Sequence, residues 1–239
     1  MLEKKLLKTK SLRIAMIAMF SVISIVLDSI ITPGFSAGVW FGWIFIMSPV
    51  NGLLLGPIDG FITTLLSVMI GHTLVFRESI YEYIFSIGAP IASLIAGLIY
   101  RQRKRLVTLY YIILLGAYFL SPISRDLPIW GMWDVYVTLF ILLIWIVTDS
   151  GSKFFDNHRN LIAIATFSGL EADILFRIFI LIPCNGYSIF YGLTPEVLKA
   201  IWAVPAPLIT PFKVILSTLF SVILVPKLVQ QAESLEFTL

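Results

Sequence analysis

Apolar residues fall into eight long runs, separated by short breaks of proline, glycine or charge. The runs are 12–31, 39–55, 60–76, 80–100, 106–120, 132–148, 161–182 and 206–228. A helix that crosses a bilayer needs roughly 20 mostly apolar residues, within a range of about 17–25. The pattern predicts an all-α, polytopic membrane helix bundle with six to eight transmembrane helices, in a single domain over 1–239. Runs two, three and five are short, so they read as tilted, re-entrant or partly merged. If two of them form a re-entrant pair, the count falls to six. No polar stretch is long enough for a second, soluble domain, and no G-x-x-x-x-G-K-[ST] loop is present.

Composition agrees with the pattern. Hydrophobic residues make up 59% of the 239 residues and charged ones 13%. Soluble domains carry about 25% charged residues. A soluble enzyme, a disordered chain and a nucleic-acid binder are excluded as first readings. The net charge of +3 comes from short basic clusters, not from a broad basic face. Cys184 is alone, and His72 and His158 lie in different runs, so no metal site is expected.

Charge placement predicts orientation, because Lys and Arg gather in cytoplasmic loops. Lys4, Lys5, Lys8, Lys10 and Arg13 precede or open run one. The link 101–105 reads RQRKR. Placing both inside requires an even number of crossings between them, which runs one to four supply. Twelve of the 17 basic residues then lie inside, both termini included. Arg77, Arg125 and Lys199 lie outside, and Arg177 and Lys213 remain within runs. The expected location is the cell membrane, as a multi-pass protein. The basic start, apolar run and Phe35-Ser36-Ala37 have the order of a secretory signal. A run of this length containing Asp28 fits a retained span instead.

Charges inside a span are costly, so each needs a reason. Run seven holds Glu171, Asp173 and Arg177. Asp173 and Arg177 are four apart and can pair on one helix face. Glu171 is about 200° around the helix from Asp173, so it needs another partner. Lys213 is one candidate. A charge network pinning helices, a polar cavity lining and a proton relay all fit these residues. Asp28 is placed near water, Asp59 in a solvated turn, and His72 as a hydrogen-bonded histidine near the outer end. Trp40, Trp43, Trp130, Trp133 and Trp202 fall on the outer side with Tyr187 and Tyr191, as an interface belt or a pocket lining. Ala15, Ala18, Ser21 and Ser24 repeat every three residues, a stripe that serves packing within the chain or docking of a partner. Pro205, Pro207 and Pro211 break the approach to run eight, as a broken helix of the kind that marks transporter sites or as a loop-to-helix entry.

Four stretches carry a resemblance: LRIAMIAMFSVISIVL, GLLLGPIDGFITTLLSVMIGHTL, FSIGAPIASLIAGLIYRQRK and LTPEVLKAIWAVPAPLITPFKVILSTLFSVIL. Together they cover about half the chain. The sequence resembles the substrate-binding S component of energy-coupling factor (ECF) transporters. The resemblance implies capture of a vitamin-like small molecule from outside, in the outer half of a helix bundle, without enzyme activity or a cofactor. It implies a transmembrane coupling subunit and two ATPase subunits as partners. It also implies a first outer loop, here 32–43, acting as a lid. The family's Ala-x-x-x-Ala docking motif on helix one is replaced here by the Ala15, Ala18, Ser21 stripe. Depth and chemistry select Trp40, Trp43, Glu171, Arg177, Asn185, Tyr187 and Lys213 as substrate-binding candidates. Arg177 or Lys213 suits an anionic group, and Trp or Tyr stacks on a ring.

Rival readings remain. A stand-alone, proton-coupled secondary transporter would use Glu171 and Asp173, although no internal repeat is visible. Run seven also has a likeness to the Glu-Glu-x-x-x-Arg helix of CAAX-type membrane proteases, but Ala172 stands at the first acid. An intramembrane hydrolase would also lack histidines beyond His72. An assembly protein is the remaining alternative.

Overall fold

The computed structural model describes residues 10–30, 42–75, 80–148, 155 and 157–236. All regular elements among them are helical. Each predicted run carries a helix: α1 Lys10–Ser29, α2 Ile44–Leu55, α3 Pro57–Leu74, α4 Glu82–Ser86 with α5 Gly88–Tyr100, α6 Lys104–Leu120, α7 Trp133–Val147, α8 His158–Leu181 and, after two short helices, α11 Ala206–Glu236. The short ones are α9 Gly186–Ile189 and α10 Pro195–Ala203.

Five segments are long and apolar enough to cross a membrane: Lys10–Ser29, Pro57–Leu74, Glu82–Tyr100, Ile129–Val147 and Ala206–Gln231. Their outward faces are apolar. Val22 is 60% exposed, Phe140 65% and Ile223 60%. Water penalises such a surface, and lipid does not. α2 differs. Its 12 residues rise about 18 Å, short of a hydrocarbon core of about 30 Å. Ten of them are buried, so α2 is an interior helix.

α5 and α8 form the centre, with α2 and α3 against α5 and with α6, α7 and α11 against α8. Small residues permit these approaches. A Cβ at Gly52 would collide with the Ser93 carbonyl, and one at Gly169 would lie 2.6 Å from the Ala92 carbonyl. Gly56 separates α2 from α3 at φ 90° and ψ 172°, a conformation that suits glycine. Pro57 then starts α3, where its missing N–H is no loss.

α1 divides the expected stripe. Ser21 and Ser24 are buried against α2 and α3, where Asn51 donates to Ser24 at 3.1 Å and Thr64 at 3.0 Å. Ala15 and Ala18 are exposed. Ser21 is therefore not a docking residue in this fold. A repeat of three drifts by about 60° per step, so Ala15 and Ser24 end on opposite faces.

At run eight the structure takes the second of the two expected forms, a loop-to-helix entry. α11 is continuous from Ala206, with Pro211 inside it. Pro207 and Pro211 cannot donate to the carbonyls four residues earlier, those of Ala203 and Pro207. Two tryptophans fill the gap. The Trp130 indole donates to the Ala203 carbonyl at 3.2 Å, and the Trp133 indole to the Pro207 carbonyl at 2.9 Å. An unpaired carbonyl facing lipid is expensive, so these contacts let a proline-bearing helix stay whole.

Candidate functional site

The bundle has two distinct ends. At one, Arg13 forks onto Asp59, with Nε to Oδ2 at 2.5 Å and a second bond from Nη2. Asp59 is 4% exposed, so it is a paired and buried carboxylate rather than a solvated turn residue. Tyr100 and His158 meet here, and so do Lys104 and Trp145. This is the basic end. The other is the aromatic end, where α1, α3 and α8 finish, α2, α4, α7 and α11 begin, and the 182–205 segment crosses.

Polar groups gather inside the aromatic end. Arg177 lies one turn after Asp173 and binds it twice, Nε to Oδ1 at 2.5 Å and Nη2 to Oδ2 at 3.3 Å. Their side chains are 17% and 11% exposed. Gly88, opening α5, makes room, because a Cβ there would collide with Asp173 Oδ1. Glu82 on α4 acts on Arg177 through space and accepts a bond from the Tyr191 hydroxyl at 2.5 Å. Burial, with that bond to Glu82, pushes the Tyr191 hydroxyl up, so it stays a donor. Lys213 of α11 has Arg177 and Asp173 as charged neighbours and lies 5.5 Å from the Phe45 ring centre. Trp43 stacks on Phe45 at 5.8 Å. The Ser217 hydroxyl ties α11 to the Phe45 carbonyl at 2.9 Å.

The result is a nest of two acids and two bases walled by aromatic rings. Its formal charge cancels, so it can meet a solute's charged groups without a large net field. The 182–205 segment is fastened above it. Tyr191 reaches Glu82, Phe190 stacks on Tyr81 at 4.3 Å, and Phe85 meets the Tyr191 ring at 5.4 Å.

The sequence candidates separate accordingly. Arg177, Lys213 and Trp43 come together. Trp40 and most of the 32–43 lid lie outside the described residues. Asn185 is exposed, and its left-handed backbone (φ 57°) starts α9. Tyr187 packs in the hydrophobic core, and its carbonyl accepts the Leu193 N–H at 2.9 Å. Glu171 lies on another face of α8, where Asp134 of α7 acts on it through space, and its carboxylate accepts no hydrogen bond from Lys213. The rotation of about 200° that parts Glu171 from Asp173 also parts it from Lys213, which stands on the Asp173 side.

Sequence reasoning missed Glu82 and Phe45 as site residues, whereas Tyr191 was among the aromatics weighed as a belt or a pocket lining. An acid three places into an apolar run was a usable signal for Glu82. Phe45 gave none beyond being aromatic. Asp28 is fully buried rather than near water, and its Oδ2 lies 2.8 Å from His72 Nδ1. His72 is hydrogen-bonded as expected.

No protein-family model, no curated protein and no solved structure matches the chain.

Proposed function

We propose that the chain is a membrane-embedded solute-capture subunit, working in the manner of the ECF S components that its sequence resembles. The observation that carries this reading is the nest of Glu82, Asp173, Arg177 and Lys213, its two acids buried and its two bases half-buried among Trp43, Phe45 and Tyr191, at one end of an apolar bundle. Buried charges are costly, and charges inside membrane spans commonly mark solute pathways. Aromatic walls add stacking surface for a planar ring.

In this reading the protein spans the cell membrane several times, with both termini cytoplasmic and the aromatic end outside. A vitamin-like small molecule enters beneath the 182–205 segment. An anionic group of the solute meets Arg177 or Lys213, and the Tyr191–Glu82 bond holds the segment down over it. A coupling subunit and two ATPases supply the work of release. The chain itself performs no chemistry.

The test is purification in mild detergent, followed by mass spectrometry of bound small molecules and proteins. The expected result is one tightly held small molecule, together with coupling and ATPase subunits. Arg177→Ala and Lys213→Ala should each lower its occupancy at least tenfold, which corresponds to about 1.4 kcal/mol. Unchanged occupancy in both variants would remove the nest as the binding site. Uptake into vesicles driven by a proton gradient alone would remove the capture-subunit reading.

A further inference from the structure

Glu171 occupies the side of α8 turned away from the nest. It is fully buried, and neither carboxylate oxygen has a hydrogen-bond partner among the described residues. The charged groups that act on it are Asp134 of α7 and Asp173 of its own helix, both acids. Several polar groups on the surrounding helices are engaged with other partners. On α6, the Tyr110 hydroxyl donates to the Ala172 carbonyl at 2.8 Å and the Tyr111 hydroxyl to the Ser168 carbonyl at 2.7 Å. On α7, Asp134 is 1% exposed and accepts from the Val135 N–H at 3.0 Å and the Thr210 hydroxyl at 2.7 Å. On α11, Lys213 has Arg177 and Asp173 as its charged neighbours. α5 brings small and apolar residues to α8, with Tyr100 at its far end.

An ionised carboxylate in this place would have no hydrogen bond and would face a second acid. Burial of such an ion costs many kcal/mol, and a group so placed neutralises instead. The neutralising partner has to be small, because the carboxyl is closed in on all sides. We propose that Glu171 is an intramembrane site for an exchangeable proton, loaded in this conformation. The proton comes from water and returns to it, and no other reactant takes part. The sequence had grouped Glu171 with Asp173 as titratable acids. The structure instead commits Asp173 to Arg177 and sets Glu171 toward Asp134.

Infrared spectroscopy reads the proton directly. The full chain is reconstituted in phosphatidylcholine–phosphatidylglycerol vesicles at pH 7, where water-exposed carboxyls are ionised. The expected spectrum contains the carbonyl stretch of a protonated carboxyl. That band moves when the protein is grown with 13C-labelled glutamate, moves again in D2O, and vanishes in Glu171→Gln. Should that variant fail to fold, a labelled band that survives Glu82→Gln supports the proposal in its place, and one that vanishes there overturns it. A missing band, or one that persists in Glu171→Gln, also overturns the proposal. So does loss of a carboxylate band in that variant, which would mean an ion such as sodium neutralises the site. Solute binding enters none of these outcomes, so this proposal and the capture proposal fail independently.

Discussion

Asp173 and Arg177 show what one residue spacing settles. Four positions apart on a helix, they had to face each other, and they do so with two hydrogen bonds. Removing one member of a buried pair costs about 3–5 kcal/mol, because the other charge stays behind without its partner. Asp173→Ala should therefore cost about 3 kcal/mol, toward the lower figure because Glu82 still acts on Arg177. The double change Asp173→Leu with Arg177→Met should cost much less, since no charge remains buried. Thermal unfolding in detergent compares the two; an equal loss would mean that the side chains matter for shape and not for charge. The Tyr191–Glu82 bond was not legible in the same way. Its partners are 109 residues apart, and no local rule joins them. Spacing exposes pairs within a helix, whereas pairs between helices depend on rotations that the sequence leaves open. Glu171 illustrates both sides of this. Its separation from Asp173 was readable from the helical angle, but its approach to Asp134 was not.

Helices carry the next kind of information. Eight apolar runs became eight helical segments because burial and lipid solvation both reward an unbroken apolar helix. The prolines before and within run eight left a broken helix and a loop-to-helix entry both open, for a physical reason. Proline breaks a helix when an orphaned carbonyl has no substitute donor. Here Trp130 and Trp133 provide the donors from the turn before α7 and from its first residue. A sequence shows the prolines and the tryptophans, but not that they meet. The contact predicts a coupling. Trp133→Phe should lose about 1 kcal/mol, the worth of one hydrogen bond with its acceptor left unpaired. In a Pro211→Ala background the Pro207 carbonyl regains a backbone donor, so the same change should cost nearly nothing. A double-mutant cycle on melting temperature measures this, and additive losses would show that the indole contributes packing alone.

For the whole molecule, the proposed capture role depends on which end faces outward. The Arg13–Asp59 pair, His158 and Lys104 mark one end, and the charged nest with its aromatic walls marks the other. The excess of Lys and Arg predicts that the first end faces the cytoplasm. Cys184 gives a native handle on this assignment. It is exposed, and it follows α8 at the aromatic end. Because the chain has a single cysteine, a membrane-impermeant maleimide reports one position. Intact cells should label at Cys184 without permeabilisation. In a Cys184→Ser background, Gln102→Cys sits in the basic link, where the residue is exposed, and should label only after the membrane is opened. The reverse pattern would place the nest on the cytoplasmic side. A solute captured from outside would then have to pass the apolar bundle before meeting Arg177 or Lys213, and a capture role would no longer follow from where those charges lie.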